Sequence, residues 1–273
     1  MLSVGERRLS PTIFPEGTNA MHADLQKANM WKRISAGLLD GILLSVLVAF
    51  LAMLMSSLLG FDRYSNQLDA CYAKYEAQYG ISFDISLEDY NAMTDAQHKL
   101  YDEAYAAFSV DEDAVYNFNM IVQLTLVIAT SSILLGHLIL EFAVPLYFKH
   151  GRTLGKKIFG IALMRSHGVR VNSTSLLIRT FLGKFTIETM IPVLIVLMIL
   201  WGTIGIVGPL VIAGIGLLQL ILLATSRERR LLHDVMADTV VVDMESQLIF
   251  DSEDELIEYT KRIHAEKAAK QVY

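Results

Sequence analysis

The stretch TMIPVLIVLMILWGTIGIVGPLVIAGIGLLQLILLATS, Thr189 to Ser226, decides the fold. It holds 38 residues and not one Asp, Glu, Lys or Arg. A helix of about 20 mostly apolar residues crosses the hydrocarbon of a bilayer, where every backbone polar group must be satisfied internally. The run is too long for one comfortable span and nearly enough for two. WGTIGIVGP, Trp201 to Pro209, sits in its middle, with three glycines and a proline suited to a turn. Two short spans and a re-entrant hairpin both fit, and both give the same sidedness.

Two more apolar runs lie upstream. Asn119 to Phe148 carries His137, Glu141 and Pro145, and Leu38 to Gly60 is broken only by Asp40. With a hydrophobic fraction of 53% and a mean hydropathy of +0.42, these runs predict an all-α membrane protein with four transmembrane helices. The first 30 residues lack the apolar core of a signal peptide, so the first span serves as its own insertion signal.

Charge sets the expected topology. Residues 149–185 contain eight Lys or Arg and no Asp or Glu, which places them in the cytoplasm by the positive-inside rule. Residues 61–118 contain 12 acidic and 3 basic residues, a balance of −9, and belong outside. Arg7, Arg8, Lys27, Lys32 and Arg33 before the first span, and Arg227, Arg229 and Arg230 after the last, put both termini in the cytoplasm.

The chain then divides into a cytoplasmic tail and interfacial helix (1–37), a first span (38–60), an extracytoplasmic helical insertion (61–118) and a second span (119–148). A basic cytoplasmic loop with a hairpin (149–185), spans three and four (186–226) and a cytoplasmic latch and tail (227–273) complete it. Residues 1–20 read as disordered, and 22–37 as the interfacial helix, anchored by Trp31. In the insertion, Tyr64, Leu68, Tyr72, Tyr75 and Tyr79 recur at steps of three and four, a helical stripe closed by Gly80. SLED at Ser86 and TDAQ at Thr94 both fit capping boxes, and a second helix is expected from one of them. That gives a helical hairpin whose stripe serves its own packing or docks a partner. Cys71 is the chain's single cysteine, so no internal disulfide forms.

In the inner loop, TLGKKIFG suits a short turn or helix, and IALMRSHGVRVN alternates about Ser166-His167-Gly168 as a hairpin. Ser173 or Thr174 is placed to cap a helix leading into the third span. Val240 to Val242 read as a strand that joins the 160–171 hairpin. Residues 251–273 read as an amphipathic helix.

Three segments, in order, resemble the RDD family of prokaryotic integral membrane proteins: RISAGLLDGILL (Arg33 to Leu44), GRTLGKKIFGIALMRSHGVRV (Gly151 to Val171) and LLHDVMADTVVV (Leu231 to Val242). The family is named for one arginine and two aspartates, which match Arg33, Asp40 and Asp234. The 58-residue insertion and the fourth span depart from the usual members. The resemblance implies a place in the prokaryotic cytoplasmic membrane, and sodium/proton exchange is the activity linked to some members.

The polar residues within apolar runs are the candidate site. Arg33 and Asp40 lie two helical turns apart on one face. Asp40 is either a proton- or cation-binding carboxylate or half of a structural ion pair with Arg33 or an inner-loop base. His137 and Glu141, at i and i+4, form either a proton relay or a hydrogen-bonded pair closing a helix interface. Asp234 reads as an ionic pin for Arg33, Arg152 or Lys156. His233-Asp234 also resembles the metal pair of HD hydrolases, but the further ligands of that site are missing. No nucleophile–base set, metal cluster or phosphate loop is visible, so neither enzyme activity, a metal, a cofactor nor nucleic-acid binding is expected. The expected partners are the lipid bilayer, a sodium ion or proton, and a second copy or another protein at the insertion. Proton-coupled cation transport is the first functional expectation. A non-catalytic scaffold docking through the insertion is the second.

Overall fold

The computed structural model describes residues 26–271 apart from 201 and 227. The expected disordered tail, Arg7, Arg8, the start of the interfacial helix, Trp201 and Arg227 lie outside the described residues. Four helices are long and apolar enough to cross a membrane: α1 (Met30–Leu59), α5 (Glu112–Tyr147), α7 (Ser173–Leu200) and α8 (Val207–Thr225). Between α1 and α5 lie α2 (Phe61–Tyr79), α3 (Leu87–Asn91) and α4 (Asp95–Ser109). Between α5 and α7 lie α6 (Leu154–Ile158) and β1 (Ile161–Arg165), and after α8 come α9 (Leu232–Met236), β2 (Thr239–Asp243) and α10 (Glu253–Gln271). The fold is thus mostly helical with a small two-stranded sheet.

The described chain forms two compact units, one built from residues up to 44 and from 137 onward, the other from 45–136. The first has the sheet as its centre. β1 and β2 run antiparallel, with Leu163 opposite Val241 and Ile161 opposite Asp243. Both faces are covered, which is why both strands read as nearly continuous apolar runs. Ile161, Leu163 and Val241 pack with Ala28, Ala36 and Leu176 on one face, while Ala162, Met164, Val240 and Val242 gather on the other. The edges are occupied as well. Ala28 N–H donates to the Val241 carbonyl and Asp243 N–H to the Gln26 carbonyl, and Arg170 N–H donates to the Phe250 carbonyl.

That edge contact corrects the sequence reading. Residues 26–29 are extended backbone beside β2, and the helix begins only at Met30. The helix into the third apolar run is capped by Asn172, whose side chain accepts from Ser175 N–H at 2.7 Å, and not by Ser173 or Thr174. The turn between α7 and α8 places Gly202 and Gly205 at φ of +67° and +53°, where a side chain would be strained.

The second unit contains the tyrosine stripe. α2 ends at Gly80 in the left-handed conformation, and its amide returns to the Glu76 carbonyl at 2.8 Å. Both positions start a helix, not one: the Ser86 side chain caps α3 by accepting from Asp89 N–H, and Thr94 forms a capping box with Gln97 at α4. Tyr72, Tyr75, Phe83 and Phe108 meet as an aromatic cluster, with Tyr72 stacked on Phe108 at 4.4 Å between centroids. At its rim, Lys74 and the Tyr75 hydroxyl both donate to Asp111 at 2.9 Å, holding that carboxyl below its ordinary range.

Candidate functional site

The polar residues of the first unit converge where two helices change their winding. α5 is π-helical over Leu138–Ala143 and α7 over Ile178–Met190. Single π turns inside α-helices cluster at functional positions, and a run of 13 residues is long for one. A proline follows each segment closely: Pro145 in α5 and Pro192 in α7. Pro145 has no N–H to offer the Glu141 carbonyl one turn back. The Thr180 hydroxyl donates to that carbonyl instead, at 2.9 Å, tying α5 to α7. In α7, the hydroxyls of Thr186 and Thr189 each donate to the carbonyl five residues back, at 2.8 Å.

Glu141 is 4% exposed and sits between two bases of α7. Lys184 Nζ lies 2.6 Å from Oε1, and Arg179 Nη1 lies 3.9 Å from Oε2. Arg179 turns its Nε to Asp234 Oδ1 at 3.0 Å, so one guanidinium, 2% exposed, joins a carboxylate of α5 to one of α9. Arg33 of α1 approaches Asp234 Oδ2 at 3.6 Å and donates to the Arg229 carbonyl at 2.7 Å. Burial alone would raise the Asp234 carboxyl, but His233, which is protonated at the acid pH where a carboxyl titrates, Arg179 and Arg33 outweigh it and hold the group below the ordinary carboxylate range.

His233 extends the cluster along α7. Its Nδ1 lies 2.8 Å from the Glu188 carboxylate, which can only accept, so Nδ1 carries the proton. Burial pushes the imidazole below its ordinary value and keeps it neutral. Gln219 of α8 donates to Glu188 and accepts the Leu232 amide at 3.0 Å. Gly183 permits this approach, since a Cβ there would stand 2.5 Å from the His233 Cβ.

Asp40 lies on the flank of the cluster. It accepts from the Thr153 hydroxyl and from Gly155 N–H, the latter at 2.8 Å, and so holds the start of α6 against α1. A Cβ at Gly155 would stand 2.3 Å from the Ala36 carbonyl, so only glycine allows that contact. The next residue, Lys156, is 6% exposed, and its Nζ has no hydrogen-bond partner among the described residues. Burial, with the charges of Arg179 and Lys184, pushes this amine down to about 7 against the pull of Glu141 and Asp40.

The two pairs read from helical spacing are therefore not direct partners. Arg33 reaches Asp234 rather than Asp40. His137 Nε2 meets the Thr189 hydroxyl at 3.3 Å, while Glu141 meets Lys184. Of the three bases offered for Asp234, Arg33 pairs with it. Arg152 donates to the Phe148 carbonyl, and the Lys156 Nζ makes no hydrogen bond among the described residues. Spacing alone does not single out Arg179, Lys184, Glu188 or Gln219 as site residues. Gln219 carried the clearest signal, a polar side chain inside the charge-free run. Among the described residues no group of three or more His, Cys, Asp or Glu is placed to hold a metal ion.

The cluster can hold protons and balance monovalent charge, because most of its members titrate and few are open to solvent. No curated protein and no solved structure matches the chain. The model of the RDD family matches residues 27–238, which takes in Arg33, Asp40, Asp234 and all the bases that meet them. With most of its length covered by that match, the chain belongs to the RDD family.

Proposed function

We propose that this RDD-family membrane protein exchanges a monovalent cation for protons across the cytoplasmic membrane, with both termini inside and residues 61–118 outside. The observation that carries the reading is Glu141, a 4%-exposed carboxylate in a helix apolar enough to span a bilayer, held by two bases at a π segment. A buried ion pair is weak support for stability, since desolvating its charges costs about as much as their attraction returns. Ionisable groups placed at that cost inside spanning helices mark ion or proton pathways. Sidedness rests on the eight-to-zero basic excess of 149–185 and the −9 balance of 61–118. Four spans enclose little volume, so transport calls for an assembly of copies.

Sodium, lithium and potassium flux into liposomes reconstituted with the pure full-length protein is the test. Flux above empty liposomes, lost in Glu141→Gln with the folded protein retained, supports the reading. No flux of any of the three ions above empty liposomes defeats it. A second reading, a partner subunit without transport, is favoured by the aromatic surface of the second unit, where Tyr105 and Tyr116 are each 57% exposed.

A further inference from the structure

The buried cluster is balanced in charge. Asp40, Glu141, Glu188 and Asp234 supply four carboxylates, and Arg33, Lys156, Arg179 and Lys184 supply four bases. His233 is neutral with its proton on Nδ1 facing Glu188. Any proton that leaves the cluster therefore leaves one negative charge uncompensated in a poorly solvated place, and a cation is the natural replacement.

The bases differ in how firmly they keep their protons. Arginine does not deprotonate in proteins, which removes Arg33 and Arg179. Lys184 is held by Glu141 at 2.6 Å. Lys156 is left. Its ammonium is buried and has no hydrogen-bond acceptor among the described residues. Four charged groups from three elements act on it: Asp40 on α1, Glu141 on α5, and Arg179 and Lys184 on α7. Of these, Arg179 and Lys184 disfavour its charge most, while Glu141 and Asp40 favour it. Glu141 also offers an acceptor with no hydrogen-bond partner among the described residues, the buried Oε2. A small hard cation takes oxygen ligands, and that oxygen, with the Asp40 carboxylate, is of the kind required.

We propose that Lys156 is the group that trades its proton for the cation: the buried ammonium releases one proton to solvent, and one monovalent cation takes up the charge it leaves at the Glu141 and Asp40 carboxylates. The exchange is one for one and leaves the total charge of the cluster unchanged. This assignment rests on the transport reading above. It adds what spacing and family membership do not give, a specific base as the exchanging site.

The probe is sodium chloride against choline chloride at equal ionic strength, applied to the purified full-length protein in detergent. The shift of the unfolding midpoint is read from pH 6 to 8.5. In the wild type, sodium stabilises at the alkaline end and its stabilisation fades through neutrality. Below the midpoint the apparent sodium affinity falls about tenfold per pH unit, as linkage between one proton and one cation requires. Lys156→Met, which carries no proton, binds sodium with no pH dependence over this range. Lys156→Arg, which cannot lose its charge, folds and gains nothing from sodium at either end. As a check on the unmodified protein, adding sodium to a weakly buffered sample near pH 7 releases protons, up to about half of one per chain, since an amine near 7 is half deprotonated there.

Wild-type pH dependence persisting in Lys156→Met overturns the assignment, as does sodium stabilisation of Lys156→Arg, or no proton release by the wild type. Proton-linked sodium binding at Lys156 without flux in liposomes defeats the transport reading and leaves the exchange standing. Flux whose pH profile is unchanged in Lys156→Met does the reverse.

Discussion

The two units of this chain are held together by opposite chemistries. The insertion unit closes on rings: Tyr72, Tyr75, Phe83 and Phe108 pack at centroid distances of 4.4 to 5.9 Å, and their charged neighbours stay at the rim. The unit that carries the sheet adds a closure by charge beside its apolar sheet core, with Arg179 and Asp234 almost sealed from solvent. Aromatic packing is tolerant, because each ring touches several others and the loss of one leaves an apolar gap. A buried ionic network is not, because each member that is removed leaves a charge without a partner. The difference should appear as different responses to single substitutions.

The largest effect is expected at Asp234. Asp234→Asn leaves Arg179 and Arg33 facing a neutral amide, and breaking a buried pair in this way costs about 3–5 kcal/mol. The unfolding midpoint in detergent should drop accordingly, and protease added to inverted vesicles should cut within 227–242 while the spanning helices stay protected. Replacing Arg179 by Gln in the same chain should recover part of the loss. The wild-type contribution has a pH signature. The folded carboxyl is held below its ordinary value, so its stabilisation is present above about pH 4, the ordinary carboxylate value. It is lost as the pH falls through the lower folded value. Unaltered stability and proteolysis in Asp234→Asn, with flux abolished, would make Asp234 a working group rather than a tie.

The insertion should yield less to a comparable insult. Phe108→Ala removes the ring on which Tyr72 stacks, and a truncation of this kind in a core costs about 3–5 kcal/mol when burial is complete. Phe108 is 9% exposed and lies in a small cluster, so the low end, about 3 kcal/mol, is expected. The loss should stay local. Amide exchange should speed up over α2 and α4, while the protection of β1 and β2 is unchanged. Loss of protection in the sheet would break the division into two chemistries.

The same contrast explains what the sequence discloses. The insertion's helices are legible because their packing is periodic: the tyrosine stripe at steps of three and four, Gly80 at its end and two capping boxes all act within a few residues. The strand at Val240 to Val242 and its docking on the 160–171 hairpin are legible because a β-branched run and a central turn are local as well. The partners of Glu141 and Asp234 are not. Helical spacing pairs His137 with Glu141 only if α5 keeps its ordinary pitch, and the π segment before Pro145 changes which faces align. Arg179 lies 55 residues from Asp234, and no local rule connects them. The first helix starts later than its pattern predicts for a related reason. An amphipathic stretch ahead of an apolar run is a good helix by pattern, but the free edge of β2 takes residues 26–29 as extended backbone.

A smaller effect is expected where α6 meets α1. Gly155→Ala puts a Cβ against the Ala36 carbonyl, and the backbone must give way because carbonyl and helix start are both fixed. Overpacking of this kind costs about 1–3 kcal/mol. Because Gly155 N–H also donates to Asp40, the substitution should weaken the flank of the charged cluster without touching any charge. A thermal midpoint equal to the wild type would show that α6 is free to shift, and that the contact with α1 constrains nothing.

The finest comparison uses one chemical device found in both units, a hydroxyl capping the first turn of a five-residue helix. Ser86 caps α3 in the insertion, where its oxygen accepts from Asp89 N–H at 3.0 Å in an exposed position. Thr153 caps α6, where its oxygen accepts from Lys156 N–H at 3.3 Å and its hydroxyl donates to Asp40 in a site 1% exposed. Removing an exposed cap typically costs about 1 kcal/mol or less, since water replaces the lost acceptor. Removing the buried one also strips the half-buried Asp40 of a donor, and an unsatisfied acceptor there adds up to about 1–3 kcal/mol. Ser86→Ala should therefore lower the stability of its unit only slightly. Thr153→Val, which keeps the shape and deletes the hydroxyl, should cost more, and Thr153→Ser should restore most of the loss. Amide exchange over α3 and α6 reads each helix separately. If the two deletions cost the same, Asp40 is as well hydrated as the protein's surface, and the placement of the charged cluster in a poorly solvated interior fails with it.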